Sequence, residues 1–181
     1  MQIAGCSMKW NRKFLKIVQQ NYAKAAHFEE IKLLLQTVLA TLNTNKLHEF
    51  NCKFIIAISQ FLEIDTMIQY ENEEFIPLEK ELDYKYTNGD TIVAIKKKMQ
   101  RIIDLCKYER FNHYINPCGG RQLYHKQLFK EHGIQLNFIE TLDYKYDQFG
   151  HEFVPHLSIL DVLMHLGRKG TQAILKNYQL L

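Results

Sequence analysis

The chain has 181 residues, of which 46% are apolar and 24% charged, and its 23 Lys and Arg nearly balance 20 Asp and Glu. These proportions fit a soluble globular domain and exclude a disordered chain, while 8 Gly and 3 Pro exclude a collagen-like one. A formal charge of +3 supplies no basic field for nucleic acid, so no nucleic-acid partner is expected.

The four cysteines, Cys6, Cys52, Cys106 and Cys118, form no CxxC pair. Such sparse spacing suits reduced thiols in a cytoplasmic protein. Residues Met1 to Trp10 carry no apolar leader. No apolar run approaches the roughly 20 residues of a membrane span; Leu33 to Leu42 is broken by Gln36 and Thr37. The reading is one domain over residues 1–181, helical over about 9–63 and α/β over about 64–181.

Trp10, Phe14, Ile17, Val18 and Tyr22 recur at helical spacing and predict a first amphipathic helix. A second is expected from about Phe28 to Leu42, with Ile31, Leu34, Leu35, Val38 and Leu42 on one face. A third covers roughly Leu47 to Leu62, after the break Asn43-Thr44-Asn45. Thr66 to Tyr70 has strand propensity. An acidic stretch with Pro77 follows, then the turn signal Asn88-Gly89 and a helix capped by Asp90 that carries Met99, Ile102, Ile103 and Cys106.

His113 to Asn116 reads as a strand stopped by Pro117 and Gly119-Gly120. A helix from about Leu123 to His132 and a strand over Ile134 to Ile139 complete a βαβ pattern. With the strand near Ile68, the crossover rule predicts a small, mainly parallel sheet covered by helices, an α/β fold. Ser158-Ile159-Leu160-Asp161 has the form of a helix start. That helix is expected to end at Gly167, and a last one to cover about Thr171 to Tyr178.

The first chemical candidate is the turn Cys118-Gly119-Gly120-Arg121 between a strand and a helix. Glycines permit positive φ and close approach of a ligand, a helix N-terminus would aim its N–H groups there, and Arg121 would grip a phosphate or carboxylate. The alternative is a plain tight turn with a surface Arg. Cys118 is either a thiol activated at that helix start or a small apolar filler. The second candidate is Asp161 with His165 one turn later. A carboxylate there would orient an imidazole for acid/base work, unless Asp161 merely caps the helix. The tyrosines Tyr86, Tyr114, Tyr124, Tyr144 and Tyr146 suit either a polar-aromatic sugar pocket or ordinary packing. His151-Glu152-Phe153-Val154-Pro155-His156 fails as a zinc helix, because proline stands where the second ligand must be. No metal site follows from the spacing, and no cofactor is indicated.

The run Tyr114-Ile115-Asn116-Pro117-Cys118-Gly119-Gly120-Arg121-Gln122-Leu123-Tyr124 resembles the Y-I-[NS]-x-x-G-G-x-x-x-Y block of the WbqC-like family. Phe129, Gly133-Ile134, Tyr146-x-Gln148, Phe153-x-Pro155 and Leu157 to Leu163 with Gly167 continue the likeness. Tyr22-x-Lys24-Ala25 with Phe28 is similar to an early family junction, here with Ala26-His27 in place of a Pro-aromatic pair. The family's usual opening block has no counterpart, so the resemblance implies either a shortened member or a truncated start, incomplete as an enzyme if that block contributes to the site.

The resemblance implies a role in bacterial surface-polysaccharide or O-antigen synthesis, with aminoacyl transfer to an amino sugar as the suggested chemistry. It supplies no catalytic set to carry over. Two functions remain. One is group transfer on a small sugar or sugar-nucleotide substrate, with Asp161 and His165 as the acid/base pair, Cys118, Gly119, Gly120 and Arg121 at the anion, and Tyr124 and Gln148 lining the pocket. The other is a non-catalytic module whose helical first third docks a partner or a second copy.

Overall fold

The structure is a computed structural model that describes residues 8–42, 44, 46–69, 75–85, 91–150 and 152–181. In chain order the elements are α1 (Met8–Tyr22), α2 (Phe28–Ala40), α3 (Leu47–Phe61), α4 (Phe75–Lys85), α5 (Thr91–Tyr108), β1 (His113–Pro117), α6 (Lys126–Glu131), β2 (Gln135–Thr141), α7 (Ile159–Ile174) and β3 (Tyr178–Leu180). They form two compact units, one from residues 1–70 and 143–177 and the other from 71–142 and 178–181.

The first unit is helical. Helix α2 packs against α1, α3 and α7. It buries Phe28, Ile31, Leu35, Val38 and Leu39, a stripe at helical spacing. Val18, Leu62, Leu163 and Met164 complete the same core. Burying each of these large side chains contributes about 1.5–3 kcal/mol, so the stripe on α2 organises the unit. The expected stripe holds at Ile31, Leu35 and Val38. Ile17 of α1, expected inward, is exposed.

The chain turns from α1 into α2 beneath α7. The His27 N–H donates to the Met164 carbonyl (3.1 Å), which brings the His27 ring onto Gly167. Gly167 has φ of +61° and ψ of −165°, a region open essentially to glycine alone. A Cβ there would lie 2.5 Å from His27 Nδ1. The helix therefore breaks at Gly167, as expected, but resumes at once and runs to Ile174.

The second unit holds the sheet, in the order β1-β2-β3. β1 and β2 run parallel, with His113 opposite Gln135 and Pro117 opposite Ile139. β2 and β3 run antiparallel, with Ile139 opposite Leu180. The fold is α/β, but the sheet is mixed rather than mainly parallel. Two expectations fail here. Residues 66–69 form no strand: Met67 is 89% exposed, and strand propensity without a partner does not make a strand. The tail expected as helix to Tyr178 pairs with β2 instead, Phe138 and Leu181 exchanging both backbone hydrogen bonds (2.9 Å each).

Helices α5 and α6 cover one face of this sheet. Met99, Ile103 and Cys106 of α5 and Phe129 of α6 meet Leu136 and Phe138 of β2. Helix α4 was not expected in the acidic stretch with Pro77. Pro77 lies in the first turn, where its missing N–H has no helical partner to lose. The Asn88-Gly89 turn and the Asp90 cap lie outside the described residues.

Gly167→Ala should destabilise the protein by about 1–3 kcal/mol from the backbone alone, and by more through the clash with His27. Gly119→Ala, whose Cβ meets nothing within 4 Å, should stay within about 0.5 kcal/mol of the parent. Urea unfolding midpoints compare the two.

Candidate functional site: the buried Asp161 cluster

Helix α7 starts on Ser158, whose hydroxyl accepts from the Leu160 N–H (3.2 Å). This cap satisfies one of the orphan donors of the first turn. It also releases the Asp161 side chain from capping, the alternative left open by the sequence. Asp161 is 4% exposed and points into the first unit.

Three donors converge on its carboxylate. The Tyr22 hydroxyl donates to Oδ1 (3.0 Å). The Tyr146 hydroxyl (2.7 Å) and Gln148 Nε2 (3.0 Å) donate to Oδ2. A buried carboxylate without such donors would be strongly disfavoured. Gln148 is itself held at both ends: its Oε1 accepts from the Val154 N–H (2.7 Å), and its Nε2 also reaches the Val154 carbonyl (3.2 Å). Gln148, expected to line a pocket, thus clamps the segment before α7 onto Asp161.

His165 lies on the same face of α7, as its spacing predicts. Its Nε2 is 3.7 Å from Asp161 Oδ1, beyond a hydrogen bond but within ion-pair reach. The Phe149 ring stands edge-on to the imidazole at 4.5 Å between centroids, with Tyr22 at 6.2 Å and Tyr146 at 6.0 Å. Phe149 is 41% exposed and sits at positive φ, next to Gly150, whose N–H donates to Asp147 Oδ1 (2.8 Å). With its oxygens occupied by Tyr22, Tyr146 and Gln148, Asp161 holds the side chains around it in place.

The glycine turn belongs to the second unit, and it differs from its expected form. Cys118–Gly120 is a single 3-10 turn, and neither Gly119 nor Gly120 has positive φ. The next helix, α6, begins only at Lys126, so no helix N-terminus opens onto the turn. Gly120 is required for another reason: a Cβ there would fall 2.2 Å from Asn116 Oδ1. Asn116 Nδ2 in turn donates to the Tyr114 hydroxyl (2.6 Å). Cys118 and Tyr124 pack on the core around Phe129, and the Arg121 guanidinium lies 6.0 Å from the Phe138 ring.

The predicted site residues therefore separate into two sets. Asp161, His165 and Gln148 come together in the first unit. Cys118, Gly119, Gly120, Arg121 and Tyr124 cluster in the second. Of the candidate tyrosines, Tyr114 and Tyr124 flank Phe129, Tyr146 holds Asp161, and Tyr86 lies outside the described residues. Among the described residues no three His, Cys, Asp or Glu side chains converge as a metal site. Tyr22 and Phe149 were missed as site residues. Tyr22 appeared only inside a junction motif, and nothing in sequence spacing joins it to Asp161.

Burial first, and the Asp161 hydrogen bond second, push the Tyr22 hydroxyl up to about 12 and the Tyr146 hydroxyl likewise to about 12. Both are neutral donors throughout the physiological range. Their folded values exceed the ordinary 10, so their contribution is complete below about pH 10 and is lost as pH rises toward about 12. Tyrosinate absorbance should show late-titrating residues, and Tyr22→Phe with Tyr146→Phe should reduce their number by two. Asp161→Asn turns an amide N–H toward groups that themselves donate. It should lower stability by about 2–4 kcal/mol, read from urea midpoints.

The family model of the WbqC-like protein family matches residues 1–173. The chain is 26% identical over 159 residues to the uncharacterized protein Rv1507c of Mycobacterium tuberculosis, an alignment covering 87% of this chain and 61% of that protein. The chain thus spans under two thirds of that relative's length. No solved structure matches it significantly. With a family match running through Tyr22, Tyr146, Gln148, Asp161 and His165, the chain belongs to the WbqC-like protein family.

Proposed function

We propose that this protein is a cytoplasmic group-transfer enzyme of bacterial surface-polysaccharide assembly, such as O-antigen synthesis, acting on a small sugar-linked substrate. Membership of the WbqC-like family supports the association with polysaccharide biosynthesis. The observation that carries an enzymatic reading is the buried Asp161, saturated by three donors, with His165 3.7 Å away beneath a half-exposed aromatic ring. Asp161 and His165 share one face of α7, which fixes the imidazole beside the carboxylate. In this reading His165 takes the proton of a sugar hydroxyl or amine as that group attacks an acyl donor, and gives it to the leaving group as the acyl bond to that group breaks. Phe149 and Tyr146 offer flat faces to the sugar ring.

The test is a thermal-shift screen of sugar nucleotides and amino acids, followed by turnover of any pair that binds. His165→Asn should leave the melting temperature near that of the parent and reduce turnover on the order of a hundredfold or more. Asp161→Ala should lose both stability and turnover. Full turnover by His165→Asn would rule out the acid/base assignment.

A second reading, a docking module, is favoured by one feature. Helix α3 carries Phe50, Phe54, Ile55, Ile58 and Phe61 yet has no fully buried residue. Trp10, 38% exposed, stacks on Phe14 (5.3 Å) and meets Phe50 edge-on (5.4 Å). Sedimentation at high concentration decides: a dimer dissociated by Ile55→Lys supports this reading, and a strict monomer removes the second copy as occupant.

A further inference from the structure

We propose that the second unit carries a separate binding groove for a phosphorylated polyhydroxyl ligand, at the N-terminal ends of β1 and β2. The groove has a volume of about 630 Å³ and is lined by Asn112, His113, Lys126, Lys130, Gln135 and Asn137, with backbone around Gly133. That volume is in the range of sites that enclose small ligands, about 300–1,000 Å³. No carboxylate lines it. The proposal is independent of the Asp161 cluster and of the glycine turn.

Two features define the ligand. The first is charge. Lys126 and Lys130 stand one turn apart on α6, so their side chains share a face. Neither side chain forms an ion pair or a hydrogen bond among the described residues. Two neighbouring ammonium groups without a carboxylate match a phosphate or diphosphate better than a neutral solute.

The second feature is an ordered row of polar side chains across the strands. Asn137 Nδ2 donates to the Leu181 carbonyl (3.3 Å), and its Oδ1 accepts from Gln135 Nε2 (2.9 Å). The amide orientation is thereby set. His113 Nε2, 2.8 Å from the same Oδ1, must be the donor. Its Nδ1 is then left to face a ligand, accepting from a hydroxyl when neutral and donating to an oxyanion when protonated. Pinned amides and an imidazole of fixed tautomer are suited to the alternating donors and acceptors of a sugar or ribose ring. The lysines hold the phosphoryl group, and the amide row orients the ring beside it.

The experiment is isothermal titration of the full chain, at low salt, with inorganic pyrophosphate, a hexose 1-phosphate and uridine diphosphate. Pyrophosphate should bind, and Lys126→Met with Lys130→Met should weaken it at least tenfold without moving the melting temperature. Lys126→Arg with Lys130→Arg should retain binding. His113→Ala should weaken the two organic ligands and leave pyrophosphate unchanged. Arg121→Ala should change none of the three. Which organic ligand binds more tightly distinguishes a sugar phosphate from a nucleotide. Absence of binding by all three overturns the proposal, as does binding that survives loss of both lysines. Loss of binding in Arg121→Ala instead would place the anion at the glycine turn and overturn the groove.

Discussion

A carboxylate taken out of water has to be satisfied, and the first unit is arranged around satisfying one. Asp161 receives donors from two places remote from one another in sequence, Tyr22 at the end of α1 and Tyr146 with Gln148 in the segment before α7. Each donor contributes of the order of 1.5–3 kcal/mol as a hydrogen bond to a charged group. Removing the carboxylate would strand them all. The same contacts place Tyr146, Phe149 and His165 together, so the constraint that organises the unit also surrounds the imidazole with aromatic rings. Ser158 makes this arrangement available by taking the cap.

The second unit is held by apolar packing instead. Phe129 is fully buried between the tyrosines Tyr114 and Tyr124 and the side chains of β2. Burial raises the Tyr114 hydroxyl, and Asn116 bonds it, so the motif that looked like a ligand-binding turn largely serves this core. Gly120 is there to make room for Asn116. At the opposite end of the parallel strands lie Lys126, Lys130 and the His113–Asn137–Gln135 row.

Local periodicity made most helices legible. Ile31, Leu35 and Val38 recur at helical spacing and are buried where that spacing puts them. The strands His113–Pro117 and Gln135–Thr141 were visible as apolar runs between turn signals. Pairing was not visible. Thr66 to Gln69 had the propensity and found no partner, while Tyr178 to Leu180 lacked a clear pattern and found one in β2. A proline in a first turn is compatible with a helix, as Pro77 in α4 is. At the site, the spacing of Asp161 and His165 declared a shared face. Its partner Tyr22 sits 139 residues away from Asp161 and leaves no local trace.

The sequence by itself determined the helix faces, the Ser158 start of α7, the break at Gly167 and the likeness of its motifs to one family. Each of these depends on neighbours within a turn or two of the chain. Tertiary structure decided the mixed sheet, the separation of the glycine turn from the Asp161 cluster into different units, and the saturation of Asp161 by Tyr22, Tyr146 and Gln148. Those outcomes depend on which hydrogen-bonding groups meet across long stretches of chain, and a buried polar group takes its role from the partners that folding brings to it.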